Sequence, residues 1–181
     1  MSAITIHRFT ERWTEGDLTA EDLTDIWRQL RAERLVDVFF HDGGVNCYYD
    51  FLHYVRLTGC WFYAARRGAD WLGLGVVNEF SSSGNTAYAH FVTFKAGRDG
   101  SFAEAARLWF PAMANVGGLD TLIAVLPGCY RAAWAWAKDL GFVETMRLPG
   151  ALRLVREGKD RAADAVVSVK DLRDLRIIHK Q

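Results

Sequence analysis

Proline and cysteine are scarce in this chain, with three of each among 181 residues. So little proline beside 50% hydrophobic and 13% aromatic residues excludes a disordered or low-complexity protein and points to a large packed core. Cys47, Cys60 and Cys129 are odd in number and widely spaced, so they provide neither a disulfide framework nor a metal-ligand pattern. No metal is expected, and a reducing, cytoplasmic compartment is the natural setting. Net charge is lacking too, because 22 basic residues are balanced by 22 acidic ones. That argues against a surface built to grip nucleic acid or an anionic membrane. No window approaches the roughly 18 uninterrupted apolar residues of a membrane helix. The opening MSAITIHRFTERW has no basic flank followed by an apolar run, so no secretion signal is expected there.

What is present reads as one α/β domain. Residues 3 to 9 alternate loosely as a first strand. Thr19 and Asp22 then form a capping box for a helix running to about Arg34, whose Leu23, Ile26, Trp27 and Leu30 make one apolar stripe. His41 to Gly44 break the pattern as a loop, and helical spacing resumes from Val45 to Leu57. Three strand-length apolar segments follow, within 60 to 67, 71 to 80 and 86 to 95, separated by RGAD and SSSGN; they predict an antiparallel meander. Ser101 and Glu104 read as a second capping box, starting a helix that Pro111 should kink or divide and that Gly117 and Gly118 should stop. TLIAVL predicts a strand covered on both faces, Cys129 to Leu140 a helix closed by Gly141, and FVETMRL and ALRLVRE two last strands joined at Pro149–Gly150. From Gly158 the chain reads as a charged tail, which leaves residues 1–157 as the domain and 158–181 as the tail. The order β, α, α, β, β, β, α, β, α, β, β predicts one sheet with helices on both faces, antiparallel at first and with a parallel crossover later.

The junction of strand 86 to 95 with the following helix carries the most chemistry. Unpaired amides and a partial positive charge at a helix start favour a phosphate, Gly97 and Gly100 leave room for it, and Arg98 adds a cation. A plain strand-to-helix turn would use the same residues.

The chain resembles the GCN5-related N-acetyltransferase family, in its element order and in two motifs. In the first, VxxxxQ/RxxGxG/A, Val92 takes the leading position and Gly97 that of Gln or Arg. Gly100 matches the central Gly, and Phe102 stands where Gly or Ala is usual. In the second, Tyr130 stands at an Asn position, Ala133 matches Ala, Ala137 replaces Tyr, Lys138 supplies the Lys, and Gly141 with Phe142 match the closing pair. The resemblance implies a mixed sheet whose parallel fourth and fifth strands splay apart. It also implies acetyl-CoA, or a related acyl-CoA, as co-substrate: its pyrophosphate on the loop of Gly97, Arg98, Gly100 and Ser101, its pantetheine on amides of Val92, Thr93 and Phe94. The reaction implied is direct attack of a primary amine, from a small molecule or a peptide, on the thioester. Glu79 and His90 are alternative bases. The usual acid is a Tyr at the place of Ala137, and Tyr130, ~10 Å away along the helix, is the nearest substitute phenol. Acceptor contacts are expected from His41, Asp42 and Tyr48, with Tyr49 and Trp71 nearby. A non-catalytic acyl-CoA sensor or assembly protein is the alternative reading, and a homodimer is left open.

Overall fold

A computed structural model describes residues 3–9, 18–57, 59–115 and 118–176. The elements are β1 (Ile4–Arg8), α1 (Ala20–Ala32), α2 (Val36–Phe39), α3 (Tyr48–Val55), β2 (Trp61–Arg67), β3 (Asp70–Asn78), β4 (Thr86–Thr93), α4 (Ser101–Asn115), β5 (Thr121–Pro127), α5 (Arg131–Asp139), β6 (Val143–Arg156) and β7 (Lys159–Asp171). They build one seven-stranded sheet in the order β1-β2-β3-β4-β5-β7-β6. β4 and β5 are parallel and every other pair is antiparallel.

Alternation along the strands splits the core between the two faces. Leu74, Val76 and Val92 point to one face, where they meet Leu23, Ile26 and Leu30 of α1 together with Phe39, Phe40 and Phe51. Ala87, Ala89 and Phe91 point to the other, against Phe102, Trp109, Phe110 and Met113 of α4 and Ala137 and Leu140 beyond them. Each helix buries its apolar stripe on the sheet, as its sequence period requires.

The capping box of α1 forms as read: the Asp22 amide donates to Thr19 Oγ1 (3.1 Å) and the Thr19 amide to Asp22 Oδ2 (2.9 Å). The one expected for α4 does not. Ser101 is already helical, and both its amide and its hydroxyl donate to Asp99 Oδ1 (3.0 and 2.6 Å). Nor does Pro111 divide that helix, which runs unbroken from Ser101 to Asn115. The missing donor and ring of a mid-helix proline cost about 3 kcal/mol; the burial of Phe110, Met113 and Ala114 around it outweighs that. Of the two glycines expected to stop α4, Gly117 lies outside the described residues.

The C-terminal region departs most from the sequence reading. The two strands expected between 142 and 157 are a single strand, β6, with a register shift between Leu148 and Leu152 where Pro149 interrupts pairing. Much of the expected tail is β7, which lies between β5 and β6 and pairs with β5 along all of Thr121–Pro127. Its charged residues hid a strand, in which only Ala165, Val166 and Ser168 are buried.

Candidate active site

The parallel pairing of β4 with β5 extends only from Thr86↔Thr121 to Tyr88↔Ile123. Beyond it the strands part, and β4 loses its neighbour on one edge. The amide of Phe94 donates to Leu72 O (3.0 Å), and the register continues unbroken through Val92↔Leu74. Hydrogen bonds of an antiparallel ladder fall on alternate residues. Val92 and Phe94 therefore turn their amides to β3, while those of Phe91 and Thr93 face the opening. This corrects the expectation for residues 92 to 94: Phe94 is fully buried and its amide is used within the sheet, whereas Phe91, which that reading missed, has an amide facing the gap. The parity of strand pairing carries that information, and local sequence does not.

A cavity of about 450 Å³ fills the gap. Its walls include Phe91, Val92 and Thr93 of β4, Gly97, Arg98 and Gly100 of the loop, and Ala133 and Trp136 of α5. Leu35 and Val38 close it from the side of α2. The two motif segments, thirty-odd residues apart in sequence, thus face each other across it. Gly100 has φ +98° and open space where a Cβ would be. Gly97 has a different reason to be glycine: a Cβ there would lie 2.1 Å from Leu72 O and 2.8 Å from Phe102 Cβ. The Phe102 ring leaves the cavity free, because it is buried on the core side, stacked on Trp136 at 5.5 Å and 9°.

Charges at the loop are mixed. Arg98 is exposed and 3.5 Å from Glu33, whose carboxylate also accepts the Lys95 amide (2.7 Å). Asp99, held by Ser101 and by the Arg67 guanidinium (3.1 and 3.0 Å), has its carboxyl drawn down to about 2, first by the Ser101 hydrogen bonds and then by Arg67. Ser101 itself is buried, its hydroxyl turned to Asp99 rather than to the cavity. The open space at Gly100 is flanked by the cation of Arg98 and, opposing it, the carboxylate of Asp99.

On the α1–α3 face, His90 of β4 lies within electrostatic reach of His41 and Asp42. Burial pushes the His90 imidazole down to about 4; His41 lowers it further and Asp42 opposes both. His41 is lowered as well, by burial against the pull of Asp42. Both rings are thereby kept neutral at pH 7. Tyr54, absent from the sequence reading, joins this group. Its phenol is pushed up by burial, then by Cys60, Asp42 and Glu79. Asn78 Nδ2 donates to Tyr54 Oη (3.4 Å), and Asn78 Oδ1 is buried without a hydrogen-bond partner. Glu79 is exposed just past β3 at φ +51°.

Tyr48, Tyr49 and Trp71 do not join this cluster. The Tyr48 hydroxyl is 2.8 Å from Thr24 Oγ1 and its ring packs against Trp27. Tyr49 is 80% exposed. Trp71 is buried beneath the Arg66 guanidinium, 5.0 Å from its ring. Proximity to the loop in sequence does not place these three aromatics in the cluster, because their helix or strand parity turns them elsewhere. Tyr130 precedes α5 and is half-buried, its phenol raised by burial and by Cys129, with Arg156 and Asp37 also in range. Ala137 is buried in the core, one turn before Gly141 closes α5. Among the described residues no group of three His, Cys, Asp or Glu side chains could hold a metal, and no helix is long and apolar enough to cross a membrane.

No family model matches the sequence, and no curated protein matches it either. Solved structures do. The chain has the fold of the GCN5-related N-acetyltransferases. The spermidine N-acetyltransferase of Vibrio cholerae, in complex with CoA and spermine, aligns over 95% of this chain and 97% of its own, at a TM-score of 0.72 and 11% identity. An acetyltransferase of Salmonella typhimurium that modifies the N-terminal serine of ribosomal protein L7/L12 aligns over 93% and 99%, at 0.73 and 10%. The N-acetyltransferase fold accounts for the splayed β4–β5 pair and for the placement of α4 and α5 beside it. At such identities the likeness is one of fold.

Proposed function

We propose that this protein transfers an acetyl or related acyl group from acyl-CoA to a primary amine. The observation that carries the reading is the cavity at the β4–β5 splay, where Gly97, Arg98 and Gly100 of one motif and Ala133 of the other line a single space. The two structural neighbours are, by their names, acetyltransferases of amines, a polyamine in one and a protein N-terminus in the other.

In this reading the amides of Phe91 and Thr93 donate to pantetheine and to the oxygen of the thioester carbonyl, where charge develops in the transition state. The space at Gly100, the first turn of α4 and Arg98 receive the diphosphate. The amine nitrogen forms a bond to the carbonyl carbon, the carbon–sulfur bond breaks, and the ammonium proton leaves to His90, directly or through water. Burial weakens this imidazole as a base, and the negative charge of Asp42 favours its protonated form once the proton arrives. Tyr130, whose raised phenol stays protonated, returns a proton to the thiolate. Asn78 Oδ1, the buried acceptor without a partner, is suited to hold an N–H of the incoming amine.

Burial of Ala137, where the family resemblance calls for Tyr, favours a second reading, an acyl-CoA-binding protein without turnover. Thermal shift with acetyl-CoA, followed by thiol release measured with DTNB across a panel of amines, separates the two. A rise in Tm with release supports transfer, and a rise without release supports the sensor. Gly100→Glu, which sets bulk and negative charge against the diphosphate, is expected to abolish the rise; a normal shift in that variant would refute the cradle.

A further inference from the structure

A second groove, of about 580 Å³, shares one lining residue, Val38 of α2, with the candidate active-site cavity. Its polar wall carries three arginines. Arg31 and Arg34 enter from the end of α1, and Arg156 comes from the tip of the β6–β7 hairpin. Eight other arginines have a carboxylate within 3.7 Å. Among the described residues these three have none, and neither do Arg8, Arg56, Arg107, Arg131 and Arg161; what distinguishes the three is that they line one groove. The groove also holds Asp37 and Glu157, and the Asp37 carboxylate is already used by the Glu157 amide at 3.3 Å. An excess of positive charge remains, and Trp27 and Tyr48 add aromatic faces.

Arg34 also occupies a costly position. α1 ends with Leu35 N donating to Leu30 O (2.8 Å) and Arg34 N to Arg31 O (3.1 Å). α5 ends in the same pattern, with Phe142 N to Ala137 O (3.0 Å) and Gly141 N to Lys138 O (2.8 Å). The pivot in α5 is glycine at φ +84°, but in α1 it is Arg34 at φ +56°. Glycine suits this left-handed pivot best. A side chain kept there against that preference, and lining a groove, points to a use for its guanidinium.

We infer that this groove binds the anionic end of the acyl acceptor, so that the acceptor is a small amine bearing a carboxylate or a phosphate. The inference rests on the acyl-transfer reading. Arginine guanidiniums suit planar carboxylates and phosphates, which accept two N–H bonds at once. The volume is that of a small-molecule site. Val38 of α2, exposed and lining both cavities, is where an acceptor anchored at the arginines would extend toward the amide-lined gap. Tyr130, within range of Asp37 and Arg156, stands beside that route. A polyamine, positive along its length, meets the wrong charge here.

The test compares ethanolamine, β-alanine, O-phosphoethanolamine and spermidine as acceptors with acetyl-CoA, by DTNB. The two anionic amines are expected to exceed ethanolamine in kcat/KM by about tenfold or more, with spermidine lowest. Arg34→Gln and Arg156→Gln are expected to raise KM for β-alanine by about tenfold, with kcat within roughly threefold of the parent. Equal rates for ethanolamine and β-alanine, spermidine as the best acceptor, or a fall confined to kcat would each overturn the inference. O-phosphoethanolamine is also titrated alone against the parent protein and Arg34→Gln by calorimetry. If no amine releases thiol, acyl transfer fails, and this titration still decides the groove: binding lost in the variant supports an anion site, and binding absent or equal in both refutes it.

Discussion

At the scale of single residues, the site joins groups whose ordinary chemistry is displaced by burial. His90 titrates in water near 6.5, and in the fold it is held to about 4 by burial, with His41 adding to the effect. The folded protein therefore binds its proton less readily than the unfolded chain. The sign follows from linkage: this contribution to stability is complete above about 6.5 and is lost as pH falls from there toward 4. The Tm of the parent is expected to drop over that interval and that of His90→Gln to drop less steeply, which a set of thermal melts at stepped pH would check. If His90 accepts the amine proton, the same variant should lose roughly a hundredfold in kcat while keeping its thermal shift with acetyl-CoA. Candidates at this scale were only partly legible in the sequence. His41, Asp42 and His90 were identifiable as polar residues in a loop and a strand, and the structure brings them together. Tyr54 and Asn78 were hidden, because Tyr54 is one of three tyrosines in α3 and Asn78 ends an apolar strand, and only the neighbouring side chains give them meaning.

At the scale of elements, the loop from β4 into α4 shows how packing and charge compete. Gly97 is pressed against the β3 backbone, and a methyl group there would overlap Leu72 O at 2.1 Å. Gly97→Ala is expected to lower stability by about 3 kcal/mol, measured by denaturant titration, because neither backbone can yield without disturbing the sheet. Asp99 caps the first amide of α4 with its own negative charge. Asp99→Asn keeps an acceptor at that position and removes the repulsion toward a diphosphate, so acetyl-CoA affinity is expected to rise roughly twofold to fivefold in a calorimetric titration. A fall in affinity would mean that the diphosphate lies elsewhere. The Ser101–Glu104 spacing suggested a different cap, since a capping box is a pattern of two residues and cannot reveal a carboxylate two residues upstream.

For the whole molecule, the C-terminal strand is structural. β7 supplies the partner of β5 along its full length and of β6 for most of its own. Ending the chain after Arg156 would leave β5 with an open edge and β6 with no neighbour in the sheet. Such a truncation is expected to be insoluble or to lack a cooperative melt by circular dichroism; a stable, folded 156-residue product would show that β7 is dispensable.

The amino-acid sequence by itself determined what is encoded within a few residues: the Thr19–Asp22 cap, the apolar stripe of α1, the glycine that closes α5, and, apart from the four-residue α2, the order of strands and helices as far as α5. These depend on hydrogen bonds and side-chain periods that span a turn or two of chain. Tertiary structure alone decided which β4 amides face the splay, where β7 enters the sheet, and that three arginines from opposite ends of the chain share a groove. Those facts depend on strand register and on contacts between residues more than a hundred positions apart, and no local pattern carries them.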